Sequence, residues 1–324
     1  MFDASHIMVA IADPTAPKTA ALKRALEIAQ QTGARVTLFT SLYSPYLASE
    51  QFYTPAELER DIQAAVLARK AALDVLAKEF VDAGVSIHVR CRWDYPPHES
   101  IVREVLREKV DLLIADSHRH GFAARMVLSN TDWQLIRLCP CPLLLTKQDR
   151  AYENIRVLTC VDPLHEHAKP AALDEALITT GQSLANTFNG QLHVAHFYMV
   201  ADPMPTGFMV EPLPLPADIV ARHVREVKHA FEALVQRFKL ARKQTHVRAG
   251  VPVSELPDLA KELDVQVVVM GAVSRTGLQR LFIGSTAERV IDELSCDVLI
   301  VKPVGFKTTV SETPLTRPMV LPPL

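Results

Sequence analysis

Short apolar runs rich in valine, isoleucine and leucine punctuate the chain at IMVAIAD (7–13), RVTLFT (35–40), SIHVRC (86–91), DLLIAD (111–116) and PLLLTK (142–147), with helically spaced stretches between them. The same succession returns at IRVLTCVD (155–162), QLHVAHF (191–197), QTHVRAG (244–250), VQVVVMG (265–271) and DVLIVK (297–302). Strands that are apolar at nearly every residue, each followed by a helix, suit a parallel sheet covered on both faces, because both sides of each strand are then buried. The pattern predicts an α/β fold of two tandem doubly wound domains, each with a five-stranded, mainly parallel sheet flanked by helices.

The two halves also match in letters. Asp116 to Lys147 overlays Gly271 to Lys302 without a gap at an offset of 155, pairing Thr131 with Thr286, Cys141 with Cys296 and Lys147 with Lys302. Upstream, Asp13-Pro14 pairs with Asp162-Pro163 at an offset of 149, and Gly33 with Gly190 at 157. An ordered series of this kind indicates internal duplication. The polar run KQDRAYEN puts the boundary at residue 150, giving domains 1–150 and 151–304. Residues 305–324, rich in proline and threonine without periodicity, read as an extended or disordered tail.

In an open parallel sheet, ligands sit beyond the carboxyl ends of the strands where the strand order reverses, so the ends of the first and fourth strands of each half matter most. In the second half the fourth strand runs into Gly271, Gly277 and Gly284-Ser285-Thr286, just before a helix whose first N–H groups can face an anion. Arg275 adds a positive charge, and Asp162, on the neighbouring strand end, can accept hydrogen bonds from ribose hydroxyls or an adenine amine. Each feature alone is more often turn chemistry or an ordinary helix cap. Their placement on two adjacent strand ends is what points to a ligand.

The segment resembles the universal stress protein family, whose nucleotide-binding members carry G-x2-G-x9-G-[ST] after the fourth strand. Here Gly271, Gly284 and Ser285 match, and Ser274 stands where the second glycine falls. With the two-fold repeat, Asp13 and Asp162, TDW in the first half and SRTG followed by GSTAERVID in the second, the likeness spans essentially the whole chain and is nearest to the family's tandem type. The resemblance implies the adenine-nucleotide alpha-hydrolase version of the fold and a stress role. It implies ATP, ADP or AMP in the second domain, with Mg²⁺ or Mn²⁺ bridging phosphates and at most weak ATP hydrolysis. Asp162 and the Cys160 backbone would then face ribose and adenine, with Phe197 giving a main-chain adenine contact. Gly271, Ala272, Ser274, Arg275, Gly284, Ser285, Thr286 and Ala287 would surround the phosphates, with the side chain at Ser274 weakening rather than abolishing binding.

The first half departs from this motif, with Asp116 and Arg119 at the first two glycine positions and Ser129-Asn130 in place of Gly284-Ser285. A carboxylate beside the phosphate path repels it, so the first domain is expected not to bind ATP in the family's manner.

Composition narrows the alternatives. With 324 residues there is chain for two domains, and a net charge of -2 lacks the basic surface that nucleic-acid binding requires. Five cysteines with no C-x-x-C pair fit a reducing cytoplasm, and the opening MFDASHIMVAIADP predicts neither export nor membrane insertion. Hydrolase signatures are absent, and His88, His118 and His120 have no nucleophile or paired carboxylate placed beside them, so no catalytic residue is assigned. His165, Glu166 and His167 read as loop polarity rather than a metal site, and Cys139 and Cys141 as packing. Two other classes of function remain: an interaction module holding a lipid-like ligand or a protein partner on apolar loops around 41–55 and 200–218, and an enzyme such as a nucleotide hydrolase or an adenine-dinucleotide-dependent redox protein, for which the sequence offers no catalytic constellation. In the tandem type the halves can pair within one chain, and a homodimer is compatible with the sequence.

Overall fold

The computed structural model describes residues 4–16, 19–44, 54–117, 125–164, 171–199, 216–271 and 285–313. The chain divides into two compact units, Met1–Tyr152 with Gly305–Leu324, and Glu153–Val304. Residues 305–313, which form neither helix nor strand, therefore group with the first unit.

The first unit runs β1 (His6–Ala10), α1 (Ala20–Thr32), β2 (Arg35–Leu42), α2 (Pro55–Asp82), β3 (Ile87–Trp93), α3 (Pro97–Glu108), β4 (Leu112–Asp116), α4 (Arg125–Leu138) and β5 (Leu143–Thr146). Its strands lie in the order β3-β2-β1-β4-β5, every neighbouring pair parallel. The second unit runs β6 (Arg156–Cys160), α5 (Ala171–Thr187), β7 (Gln191–Tyr198), α6 (Ala217–Gln236), a 3₁₀ turn (Arg242–Gln244), β8 (Thr245–Ala249), α7 (Pro252–Glu262), β9 (Val267–Gly271), α8 (Ser285–Glu293) and β10 (Asp297–Val301). The order is β8-β7-β6-β9-β10, again parallel throughout. All ten strand segments expected from the sequence are present, and the order reverses between the first and fourth strands of each unit, as a doubly wound sheet requires.

Burial follows the pattern. Ile7, Met8 and Val9 of β1 and Leu112, Leu113 and Ile114 of β4 are fully buried at the centre of their sheet. The outer strand β3 alternates, exposing His88 and Arg92 between half-buried neighbours, which explains why SIHVRC is less apolar than the other runs. The polar run at the domain boundary is also anchored. Arg24 on α1, only 2% exposed, donates to the Arg150 carbonyl at 2.8 Å, and its guanidinium lies 3.3 Å from the centre of the Tyr152 ring.

Strand pairing corrects two of the letter matches. Ile7 stands opposite Val36 and Leu112, and Val157 opposite Leu192 and Val267. Val267 is Leu112 advanced by the ungapped offset of 155, so Val157 is the counterpart of Ile7 and the offset there is 157 − 7 = 150. Asp162 therefore corresponds to Ala12, not to Asp13. In the same way Arg35 pairs with His6 as Gln191 pairs with Arg156, an offset of 191 − 35 = 156 that sets Asn189 opposite Gly33 and Gly190 opposite Ala34. The backbone agrees, because Gly33 (φ 73) and Asn189 (φ 51) are both left-handed. Letter identity aligns the loops, whereas the hydrogen-bond ladder aligns the strands, and a one-residue displacement separates the two.

Candidate functional site

In the second unit the switch point lies between β6 and β9. Cys160 is the last residue of β6 and is half-buried; Asp162, two residues on, is also half-buried. The peptide bond that carries Asp162 is held at both ends. His196 on β7 donates from Nδ1 to the Val161 carbonyl at 3.0 Å, and the Asp162 N–H donates to Asp174 Oδ1, in the first turn of α5, at 3.1 Å. A carbonyl only accepts, so Nδ1 carries the proton. His196 is 4% exposed and Asp174 1% exposed, so both hold their ends of the peptide from buried positions. The Val161 N–H continues the β6–β7 ladder by donating to the Ala195 carbonyl at 3.0 Å. The backbone at Asp162 is thus fixed by three hydrogen bonds before any ligand arrives.

Continuing the β6–β9 register sets Gly271, the last residue of β9, alongside Val161. A Cβ on Gly271 would stand 2.9 Å from Leu173 Cδ2 in the first turn of α5, so the glycine lets that helix close onto the strand end. Ser285, Thr286 and Ala287 form the first turn of α8, whose backbone N–H groups have no partner within the helix itself. Phe197, half-buried near the end of β7, pairs in register with Arg248. Ala272, Ser274, Arg275 and Gly284, with Arg119, His118, His120 and the His165–His167 run, lie outside the described residues.

The first unit uses the corresponding edge differently. Asp116, at the end of β4 where the second unit has Gly271, accepts the Ala21 N–H at 2.9 Å and the Thr146 hydroxyl at 3.0 Å. Its carboxylate caps α1. Helix α4 begins at Arg125, five residues ahead of Asn130, the counterpart of Ser285, where α8 begins. Asp13, one position past the counterpart of Asp162, accepts from the Thr15 N–H (2.9 Å) and hydroxyl (2.7 Å) and pairs with Arg69 of α2 at 3.1 Å. The Thr15 bonds, then Arg69, hold its carboxyl below the usual range. Thr40 occupies the His196 position and is too short to repeat the clamp.

His196 and Asp174 were invisible to motif reading. The signals were a histidine inside a strand that should be apolar and an acid in the first turn of an apolar helix, both costly to bury without partners. Among the described residues no three histidine, cysteine, aspartate or glutamate side chains come together in a way that could hold a metal ion. No helix among the described residues is long and apolar enough to cross a membrane.

The fold and this edge define a tandem pair of doubly wound α/β units, the first of which uses the carboxylate at its switch point, Asp116, to cap its own helix. A scan against family models matches the Universal stress protein family over residues 4–147 and again over 154–302, and the chain belongs to that family. It is 32% identical over 304 residues to universal stress protein E of Photorhabdus laumondii, covering 93% of this chain and 96% of that one. To universal stress protein E of Salmonella typhi it is 33% identical over 306 residues, 94% of this chain and 96% of the relative. Among solved structures, a functionally unknown protein from Pseudomonas aeruginosa PAO1 superposes with a TM-score of 0.71 at 26% identity, covering 93% of each chain.

Proposed function

We propose that the second unit binds an adenine nucleotide, ATP or its hydrolysis products, and that occupancy adjusts the chain's contacts with protein partners in a cytoplasmic stress response. The observation that carries this reading is the clamped Asp162 peptide at the switch point, a position where the first unit keeps the ladder bond from the Ile11 N–H to the Phe39 carbonyl but has Ala12 in place of the carboxylate and Thr40 in place of His196. Asp162 would accept from ribose hydroxyls or the adenine amine. The amides of Ser285, Thr286 and Ala287 would face phosphate, favoured by the helix dipole. Cys160 and Phe197 would contribute backbone contacts to the base. Family resemblance adds Gly271, Ala272, Ser274, Arg275 and Gly284 around the phosphates, with Mg²⁺ or Mn²⁺ bridging them. No residue is assigned to hydrolysis.

Isothermal titration of the full chain with ATP, ADP and AMP tests the reading. One site per chain is expected. Absence of heat with all three nucleotides, at concentrations up to the millimolar range, would count against it.

A further inference from the structure

Cys139 and Cys141, in the sequence Cys139-Pro140-Cys141, join the end of α4 to the start of β5. The Cys139 N–H closes the helix on the Leu135 carbonyl at 2.9 Å, and Leu113 of β4 donates to the Pro142 carbonyl at 3.0 Å, so both flanks of the turn are pinned. The two sulfurs lie 3.5 Å apart. Cys139 is 0% exposed and Cys141 8% exposed, and neither is in a disulfide.

The second unit supplies an internal control. At the offset of 155 its matching turn reads Leu294-Ser295-Cys296, with the Leu294 N–H on the Val290 carbonyl at 3.1 Å and both Leu294 and Cys296 buried. A leucine fills the Cys139 position there within the same turn, so packing alone does not call for a thiol. What the first unit adds is a second sulfur beside the first.

We propose that Cys139 and Cys141 are a dithiol site that a hydroperoxide oxidises reversibly to a disulfide. A disulfide sulfur pair sits about 2.05 Å apart, so closure needs the two sulfurs to approach by roughly 1.5 Å. Burial also favours a small oxidant: with Cys139 0% and Cys141 8% exposed, the site would take a small hydroperoxide rather than a bulky disulfide such as oxidised glutathione.

In the first step Cys141, as thiolate, attacks the outer peroxide oxygen. The O–O bond breaks, the leaving oxygen takes a proton to become water or an alcohol, and Cys141 becomes a sulfenic acid. Cys139 then attacks that sulfur. The S–S bond forms, the S–O bond breaks, and hydroxide leaves with the Cys139 proton as water. Two thiols and one hydroperoxide thus give one disulfide, one water and one water or alcohol, the two electrons coming from sulfur. The hydrogen bond with Cys139, then burial, push the Cys141 thiol well up, so the reaction is slow at neutral pH and its rate climbs about tenfold per pH unit. Proximity of Cys139 diverts the sulfenic acid to the disulfide before further oxidation.

The test treats the folded full-length protein with excess hydrogen peroxide at pH 7 and pH 8, then denatures it in alkylating reagent and maps the cysteines by mass spectrometry. The expected product is a peptide lighter by two hydrogens that joins Cys139 to Cys141, formed about tenfold faster at pH 8 and restored by dithiothreitol. Cys139→Leu, the residue the second unit carries there, removes the product, leaving Cys141 to go on to sulfinic acid. Two alkylatable thiols at 139 and 141 after a treatment that forms the disulfide in urea would overturn the proposal. So would equally fast loss of the Cys141 thiol to a reducible disulfide in Cys139→Leu, which would show that its partner is another cysteine.

Discussion

His196 and Asp174 grip opposite ends of one peptide bond, the carbonyl of Val161 and the amide of Asp162, from two different elements. His196→Thr, which installs the first unit's residue at that position, is expected to cost about 1–3 kcal/mol of stability through the lost hydrogen bond and the space left behind. A purely structural role would stop there. Positioning predicts in addition that the Asp162 amide exchanges faster with deuterium and that ATP affinity falls about threefold to tenfold, read by hydrogen-exchange mass spectrometry and by titration.

The two aspartates that look alike in sequence are expected to separate in binding. Asp162→Ala should weaken ATP by tenfold or more, the loss of about 1.4 kcal/mol or more that follows from removing a charged acceptor. Asp13→Ala should leave it unchanged, because Asp13 is one position out of register and already engaged by Thr15 and Arg69. Parallel titrations of the two variants compare them directly; equal losses would contradict the register assignment.

Asp116 is engaged within its own unit, at the start of α1 and on β5. Asp116→Ala removes the cap from Ala21 and the partner of the Thr146 hydroxyl, and is expected to cost about 1–2 kcal/mol, measurable as a lower urea midpoint for the first unit with nucleotide binding unaltered.

A histidine pair on β7 and β8 sets a pH dependence. His193 and His246 stack with ring centroids 5.3 Å apart, Nδ1 of the first lying 3.1 Å from Nε2 of the second. Burial, then the His193 charge and Arg248, bring His246 down to about 4, against the opposing pull of Glu262. Burial, then Arg156 and Lys243, lower His193 as well. Folded-state values below the ordinary 6.5 mean that the unfolded chain binds protons first. The contribution is complete above pH 6.5, fades as the pH falls from 6.5 towards 4, and from His246 is then fully lost. Urea midpoints at pH 7.5 and 4.5 should fall less for His246→Gln than for the native chain, by on the order of 1 kcal/mol after screening.

Gly33 and Gly190, matched by letter, are needed for different reasons. Gly33 is left-handed with nothing near a Cβ, so Gly33→Ala should cost about 1 kcal/mol of backbone strain. A Cβ on Gly190 would lie 2.1 Å from the Ile155 carbonyl oxygen, a backbone atom that cannot step aside. Gly190→Ala should therefore be the worse by at least 1–2 kcal/mol, roughly the scale of overpacking a tight site, in thermal or urea unfolding.

Much of the fold was legible because each buried strand announces itself as an apolar run, and ten such runs in two matching sets leave little freedom in topology. The switch point followed from that order. Asp162, Cys160 and Gly271 fall on adjacent strand ends, and Ser285 opens a helix, where the sequence put them. The clamp did not show in the sequence, because it depends on which side chains of β7 and α5 meet across the sheet, and a lone histidine or aspartate carries no spacing signal. The displaced registers were hidden for a related reason: identical residues in loops outweigh strands whose letters differ but whose pairing is the same. In the case of Asp116, the sequence suggested repulsion of phosphate, and the structure shows where the carboxylate goes instead.

The hold of Arg24 on the segment leaving β5 bears on how the molecule can be taken apart. A fragment cut at residue 150 would keep the carbonyl at 150 but lose the aromatic ring under the guanidinium, leaving a buried cation over a gap. Expression of the amino-terminal half on its own should therefore run through Tyr152, and soluble yield of the two lengths would register the difference of two residues.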